Sequence, residues 1–266
     1  MENPVFKCQD ADKFSKREIH IACLQTSPRP DFKSSLDEAL YLAEQAVEAG
    51  ADMITLPEYC GGLKTVGSTF APPFSSEQSH PVLNGLMGFA KNKNTYLLIG
   101  SIAITGPKNK ILNRSYLIDN KGQIISRYDK IHLFDIKFSE NQSYFESKSV
   151  HGGEFAVLSK TSLGCFGLTI CYDLRFPNLF RELSKKGAEI LFIPAAFTKK
   201  TGEAHWHVLN RARAIENGAF VVSPCSIGKI EGGGESYGHS LIINPWGEIL
   251  ADGGGTNPGF INAIIE

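Results

Sequence analysis

Cys171 ends an apolar run, Gly167-Leu168-Thr169-Ile170, and is followed at once by a turn, Tyr172-Asp173-Leu174-Arg175-Phe176-Pro177. A thiol at the carboxyl end of a strand in an α/β chain is placed as a nucleophile. Attack on an amide or nitrile carbon needs the thiolate, and a free Cys with a pKa of about 8.5 is only slightly ionised at neutral pH. Something must take the proton. Glu58, in Leu56-Pro57-Glu58-Tyr59, offers a carboxylate at another expected strand end. It could act first on the thiol and later on the water that hydrolyses the acyl-enzyme. Lys130, in Arg127-Tyr128-Asp129-Lys130-Ile131-His132, offers an ammonium that, with the backbone N–H of Tyr172, could stabilise an oxyanion. A Lys and a Glu buried together are costly unless further paired. Glu146, in Tyr144-Phe145-Glu146-Ser147, is the acid expected beside Lys130. Singly, each has a plainer reading: Cys171 as a small buried hydrophobe, Glu58 as a helix cap, Lys130 as a solvated charge. Their conjunction points to catalysis.

The elements that must position these residues follow from periodicity. Ile19 to Leu24 reads as a strand, and Pro28 to Asp31 starts a helix carrying Leu36, Leu40, Ala43 and Val47 on one face, ended by Gly50. Met53 to Leu56, a helix over Val82 to Ala90 and a strand over Tyr96 to Ile104 complete a βαβαβ alternation. Ser115 to Ile118 and Ile124 to Arg127 form a hairpin across Asp119-Asn120-Lys121-Gly122, and an irregular stretch runs to about Gly153. The second half repeats the plan: a strand into Cys171, a helix over Asn178 to Lys185, strand Ile190 to Ile193, helix Ala204 to Glu216, strand Ala219 to Val222 and a hairpin.

The repetition reaches single residues. Gly50-Ala51-Asp52-Met53-Ile54-Thr55-Leu56-Pro57 parallels Gly187-Ala188-Glu189-Ile190-Leu191-Phe192-Ile193-Pro194, and Ser115 to Ile125 parallels Ser240 to Leu250. Two similar halves, each a sheet covered by helices, would bury their bare faces against each other. The expectation is an α/β four-layer αββα sandwich, with 1–18 a mobile amino-terminal extension and 19–266 a single domain.

With Lys+Arg 27 against Asp+Glu 28, the chain lacks the electrostatic footprint of a nucleic-acid or anionic-membrane binder. The six cysteines, at 8, 23, 60, 165, 171 and 225, show no Cys-x-x-Cys spacing, which suits a reduced, cytoplasmic protein. No apolar run approaches the roughly 20 residues that span a bilayer, and the first 18 residues are too polar for a signal peptide. The expected partner is a small molecule.

Leu-Pro-Glu around 58, Tyr-Asp-Lys-Ile-His-Leu-Phe-Asp from 128 to 135 and Ile-Cys-Tyr-Asp-Leu-Arg-Phe-Pro from 170 to 177 resemble the three signature segments of the nitrilase superfamily, the carbon-nitrogen hydrolases. The similarity covers residues 19 to 265. Phe-Glu-Ser at 145 to 147 and Thr-Gly-x-Ala-His-Trp from 201 to 206 resemble its Nit-type amidase branch. The resemblance implies a Glu58, Lys130, Cys171 triad assisted by Glu146, no cofactor, and a fold that usually dimerises through helices. Substrates in that branch are ω-amides of α-keto dicarboxylates and deaminated glutathione. Arg-Ala-Arg-Ala-Ile-Glu at 211 to 216 and Tyr-Gly-His-Ser at 237 to 240 look closer to the deaminated glutathione amidases. Family members usually continue into a tail that crosses to the partner subunit, whereas this sequence ends at Glu266.

Other residues invite roles. Ala195, Ala196 and Phe197 follow the strand ending in Pro194 and are expected to line the substrate pocket, with His205 at its mouth. His205 and His207, flanking Trp206, suggest a metal site with Glu203. Helical positions i and i+2 do not share a face, so no metal is expected there. Asp173 and Arg175 are expected to pair with each other. The expected reaction is hydrolysis of a small carboxamide to a carboxylate and ammonia through a Cys171 thioester. The rivals are a nitrilase, a papain-like enzyme pairing Cys171 with His239, and a non-catalytic scaffold on the same fold.

Overall fold

The computed structural model describes residues 5–10, 18–67, 69–139 and 142–266. In the first half Ile19–Gln25, Met53–Thr55 and Tyr96–Thr105 lie parallel in that order. Ile111–Ile118 and Ile124–Asp129 follow antiparallel on one side. Gly259–Ile265 closes the other edge, antiparallel to Ile19–Gln25. The second half copies this pattern with Gly164–Leu168, Ile190–Phe192 and Phe220–Ser223, then Leu241–Ile243 and Ile249–Asp252, with Phe155–Thr161 antiparallel to Gly164–Leu168 on the other side. Among the described residues each sheet gains a seventh strand, Phe74–Ser75 in the first and Val5–Asp10 in the second. Of the extension expected over 1–18, residues 1–4 and 11–17 lie outside the described residues, and Val5–Asp10 pairs parallel with Phe155–Thr161.

Four helices fill matching crossovers: α1 (Phe32–Glu48) and α2 (Pro81–Lys93) in the first half, α3 (Pro177–Lys185) and α4 (Lys199–Asn217) in the second. Strand alternation sorts the layers. Ile21, Cys23, Met53 and Leu98 face the opposite sheet and share a core with Leu168 and Leu191. Ala22, Leu24, Ile54 and Leu97 point the other way, onto α1 and α2. On the far side α3 and α4 cover the second sheet with Leu183, Phe180, Trp206 and Ala214. This is the four-layer αββα sandwich. α1 begins where its Asp31 cap accepts from Ser34 N, yet the fully buried stripe is Ser35, Ala39, Leu42, Ala43 and Ala46. The larger Leu36, Leu40 and Val47 flank it, because small residues let the helix lie close to the sheet.

Two departures from the sequence reading matter for the site. The strand before the thiol stops at Leu168, and Cys171 opens a 3-10 turn, Cys171–Arg175, with φ 48. The tight turn over Ser162 and Leu163 makes that strand half of a hairpin with Phe155–Thr161. The irregular segment also carries a hairpin of its own, Asp135–Ser139 with Gln142–Phe145.

The repeated segments end at one place. A Cβ on Gly100 would lie 1.9 Å from Leu56 O and 2.5 Å from Pro194 Cβ, so only glycine lets the two strand ends, Pro57 and Pro194, meet across it. That junction is the floor of the site.

Candidate active site

Glu58 is set by a wrapped backbone. The register of Tyr96–Thr105 slips between Ile99 and Ile102, and Ser101 there accepts Cys60 N at its carbonyl and Tyr59 N at its hydroxyl. Tyr59 is thereby held in the left-handed region at φ 52, which turns the preceding carboxylate inward. Lys130 follows the edge strand Ile124–Asp129, its N–H bonded to Asn113 O and its carbonyl to Gly153 N. Glu146 opens a 3-10 turn whose backbone is bonded to Phe134. Cys171 N donates to Pro194 O at 2.9 Å, which fixes the thiol above the junction of the two halves.

The charges form one buried cluster: Lys130, Glu58 and Glu146 are 2 %, 4 % and 0 % exposed. Lys130 Nζ donates to Glu58 Oε1 at 2.8 Å and to Glu146 Oε2 at 2.9 Å, leaving its third proton for a ligand. Burial opposes charge on Lys130, but Glu146 and Glu58 together hold its ammonium well above the usual lysine value. Asn113 Nδ2 donates to both acids, at 2.9 Å to Glu58 and 3.0 Å to Glu146.

The two carboxylates differ in remaining capacity. Glu146 accepts from Lys130, Asn113, Tyr59 Oη and Phe134 N, which fills the roughly four acceptor sites of a carboxylate. Glu58 accepts from Lys130, Asn113 and, at Oε2, from Ala196 N at 2.9 Å, so one site stays open. Burial pushes the Cys171 thiol up, and the neighbouring Glu58 adds to the rise while Lys130 opposes it. The resting sulfur is therefore a neutral thiol beside a carboxylate with room for its proton.

Glu58, Lys130 and Cys171 line one narrow cavity together with Tyr172, Ala196 and Phe197. Tyr172 is in the first turn of its 3-10 helix, where a backbone N–H has no acceptor within the turn. Phe134 closes a wall against Tyr172 at a ring separation of 5.2 Å. Ala195 is not among the lining residues, because its N–H goes to Pro224 O and its carbonyl accepts Ser226 N. His205 is also set apart: it projects from the exposed face of α4, its Nδ1 3.3 Å from Arg175 Nη2. His239 lies with Asp252 and His207 outside this cavity, so the Cys171–His239 pairing of a papain-like enzyme is not formed.

Asp173 and Arg175 do not pair. Asp173 accepts from Ile170 N and Tyr128 Oη, and lies 2.7 Å from His132 Nδ1. It thus ties the turn carrying the thiol to the residues flanking Lys130. Arg175 lies over the Tyr172 and Phe197 rings instead. Sequence reasoning also missed Asn113 and Tyr59. The signal for Asn113 is a polar residue with Ile111 and Ser115 on the same face of a strand that begins at Ile111, four residues before its apolar run becomes clear.

Residues 20–265 match the carbon-nitrogen hydrolase family, and the chain belongs to it. It is 39 % identical over 253 residues to a deaminated glutathione amidase of Synechocystis, covering 92 % of this chain and 90 % of that one. It is 32 % identical to the omega-amidase Nit3 of Saccharomyces cerevisiae, covering 92 % and 86 %. The crystal structure of the Caenorhabditis elegans NitFhit protein superposes with a TM-score of 0.86 at 30 % identity over 95 % of this chain, which spans 62 % of that longer one. These are nitrilase-superfamily relatives, and the protein is a carbon-nitrogen hydrolase.

Proposed function

We propose that this protein is an amidase that hydrolyses a small anionic carboxamide, deaminated glutathione or the ω-amide of an α-keto acid, through a thioester on Cys171. Glu58 takes the thiol proton as sulfur bonds to the carbonyl carbon. Lys130 and the Tyr172 N–H receive the oxyanion. As the tetrahedral adduct collapses, the C–N bond breaks and Glu58 returns the proton to the departing ammonia or amine. Water then gives a proton to Glu58 and its oxygen to the thioester, and the sulfur leaves as the thiol. Glu146 holds Lys130 and is saturated, so it is not the base.

The observation that carries this reading is the open acceptor site on Glu58 beside a neutral thiol. A second pocket shares Phe70, Ala196 and Thr198 with the first and is bordered by Lys199, Lys200 and Glu235, with Lys199 paired to Glu235 at 3.0 Å, so room for a substrate extends beyond the thiol. The named relatives support the two amides. The test is ammonia or amine release from deaminated glutathione, α-ketoglutaramate and the matching nitrile. Turnover of an amide far above the nitrile is expected, with no acylation burst in Glu58→Gln. No turnover and no thioester adduct by mass spectrometry would favour a scaffold.

The reading extends to a cytoplasmic homodimer. No helix among the described residues is long and apolar enough to cross a membrane. Cys23, Cys60, Cys165, Cys171 and Cys225 are free thiols. Val208, Ile215 and Trp246 are exposed large apolar residues, and Ile215 and Trp246 border one shallow depression suited to a second copy. Light scattering should report a dimer that Trp246→Glu converts to monomer.

A further inference from the structure

Outside the catalytic cavity, α4, the connection at 238–240 and the Ile249–Asp252 strand bring His207, His239 and Asp252 together, with ligand atoms all within 4.8 Å of one another. His207 Nε2 is 3.0 Å from Asp252 Oδ2, and His239 Nδ1 is 2.9 and 3.1 Å from Oδ1 and Oδ2. The imidazole centroids are 4.8 Å apart with planes inclined by 73°. Two imidazoles sharing one zinc ion at about 2.1 Å would have centroids roughly 5 Å apart. Both rings thus aim at one carboxylate with near-ligating separation.

The cluster is also built, not merely adjacent. His239 adopts φ 53, a left-handed conformation that a non-glycine residue keeps only when its surroundings impose it. Trp206 Nε1 donates to its carbonyl at 2.7 Å, and its own N–H donates to Gly254 O at 2.8 Å. Of the other described non-glycine residues at positive φ, Asn94 caps α2 and Lys108 and Asn109 make a turn. The remaining two, Tyr59 and Cys171, are in the active site. Burial opposes ionisation of Asp252, but hydrogen bonds from His207, Gly254 N and His239 hold its carboxyl below the usual range, so it is anionic at neutral pH.

We propose that His207, His239 and Asp252 form a binding site for a zinc-type divalent ion, with water completing the coordination. Two neutral imidazoles and one carboxylate around an open position suit such an ion better than calcium or magnesium, which take oxygen ligands. His205 takes no part, since it points to Arg175 from another face of α4. Occupation would tie α4 to the Asp252 strand.

The experiment titrates zinc, by calorimetry, into Cys171→Ala, which removes the reactive thiol as a competing ligand. One ion per chain is expected at neutral pH, with a higher melting temperature. Asp252→Asn and His207→Ala on that background should each weaken binding roughly tenfold or more. Asp252→Asn preserves side-chain volume, and circular dichroism verifies its fold. Cobalt(II) should give tetrahedral visible bands that vanish in both variants. Absence of saturable binding, or equal binding by the folded Asp252→Asn protein, overturns the site.

Discussion

In the first half the chain leaves its second strand as Leu56-Pro57-Glu58, and in the second half the matching segment reads Ile193-Pro194-Ala195. The two prolines meet across Gly100. Where one half presents the buried carboxylate, the other presents a small side chain, and the next backbone N–H, of Ala196, donates to that carboxylate. The hairpins diverge as well. Arg114 and Arg127 of the first half clamp Glu77, while the matching positions of the second are His239 and Asp252. A duplicated scaffold supplies position, and its asymmetry supplies chemistry. Glu58, Lys130 and Glu146 come from one half and the thiol from the other, so Cys171 meets its proposed base across the interface between sheets.

That division can be broken from either side. Cys171→Ala removes the whole contribution of the second half to bond making. It should fold, bind substrate and show turnover at background level, and measurable catalysis would refute the sulfur as nucleophile. Lys130→Met strikes the first half. It should lose two to three orders of magnitude in kcat as an oxyanion donor is lost. It also leaves two buried carboxylates without their cation, a cost of about 3–5 kcal/mol in denaturant unfolding. A near-normal rate in a folded variant would remove Lys130 from the mechanism.

Asn113→Ala sharpens the comparison between the two acids. It removes a donor from each, so activity should fall by about tenfold, from a loss near 1–3 kcal/mol. The loss should fall on kcat rather than on KM, because both acids surround the reacting thiol and Lys130. A variant that loses stability but keeps its kcat would mean that Asn113 only supports the fold.

The smallest effect is common to both halves. Burial pushes the thiols of Cys23, Cys60 and Cys225 up from 9.0 to about 12. A raised folded value means stability is intact below the ordinary thiol pKa and declines as pH climbs from 9.0 toward 12. Each thiol costs about 1.4 kcal/mol per unit of that climb. Cys23→Ala should flatten the alkaline fall in unfolding free energy between pH 8 and about 10, and an identical slope would contradict the assignment.

The alternation of strands and helices, the internal repeat and the three segments around Glu58, Lys130 and Cys171 were legible in the chain because each is local or recurs at a fixed offset. The strand into Cys171 was legible but its hairpin was not, since the turn over Ser162 and Leu163 lacks a strong turn signature and the antiparallel partner Phe155–Thr161 shows only in the pairing. Asp173 and Arg175 were misread as partners because sequence proximity says nothing of competitors. Tyr128 and His132, over 40 residues away, take the carboxylate first.

By itself the sequence determined which chemical groups exist and the strand order that carries them, because hydrophobic period and turn residues act over a few positions. Only the tertiary structure decided which carboxylate keeps a vacant acceptor, that Ala195 turns away while Ala196 lends its N–H, and that His207 finds His239 and Asp252 rather than His205. Those outcomes depend on distances between residues far apart in the chain, fixed when two sheets close on Gly100 and every buried polar group must find a partner.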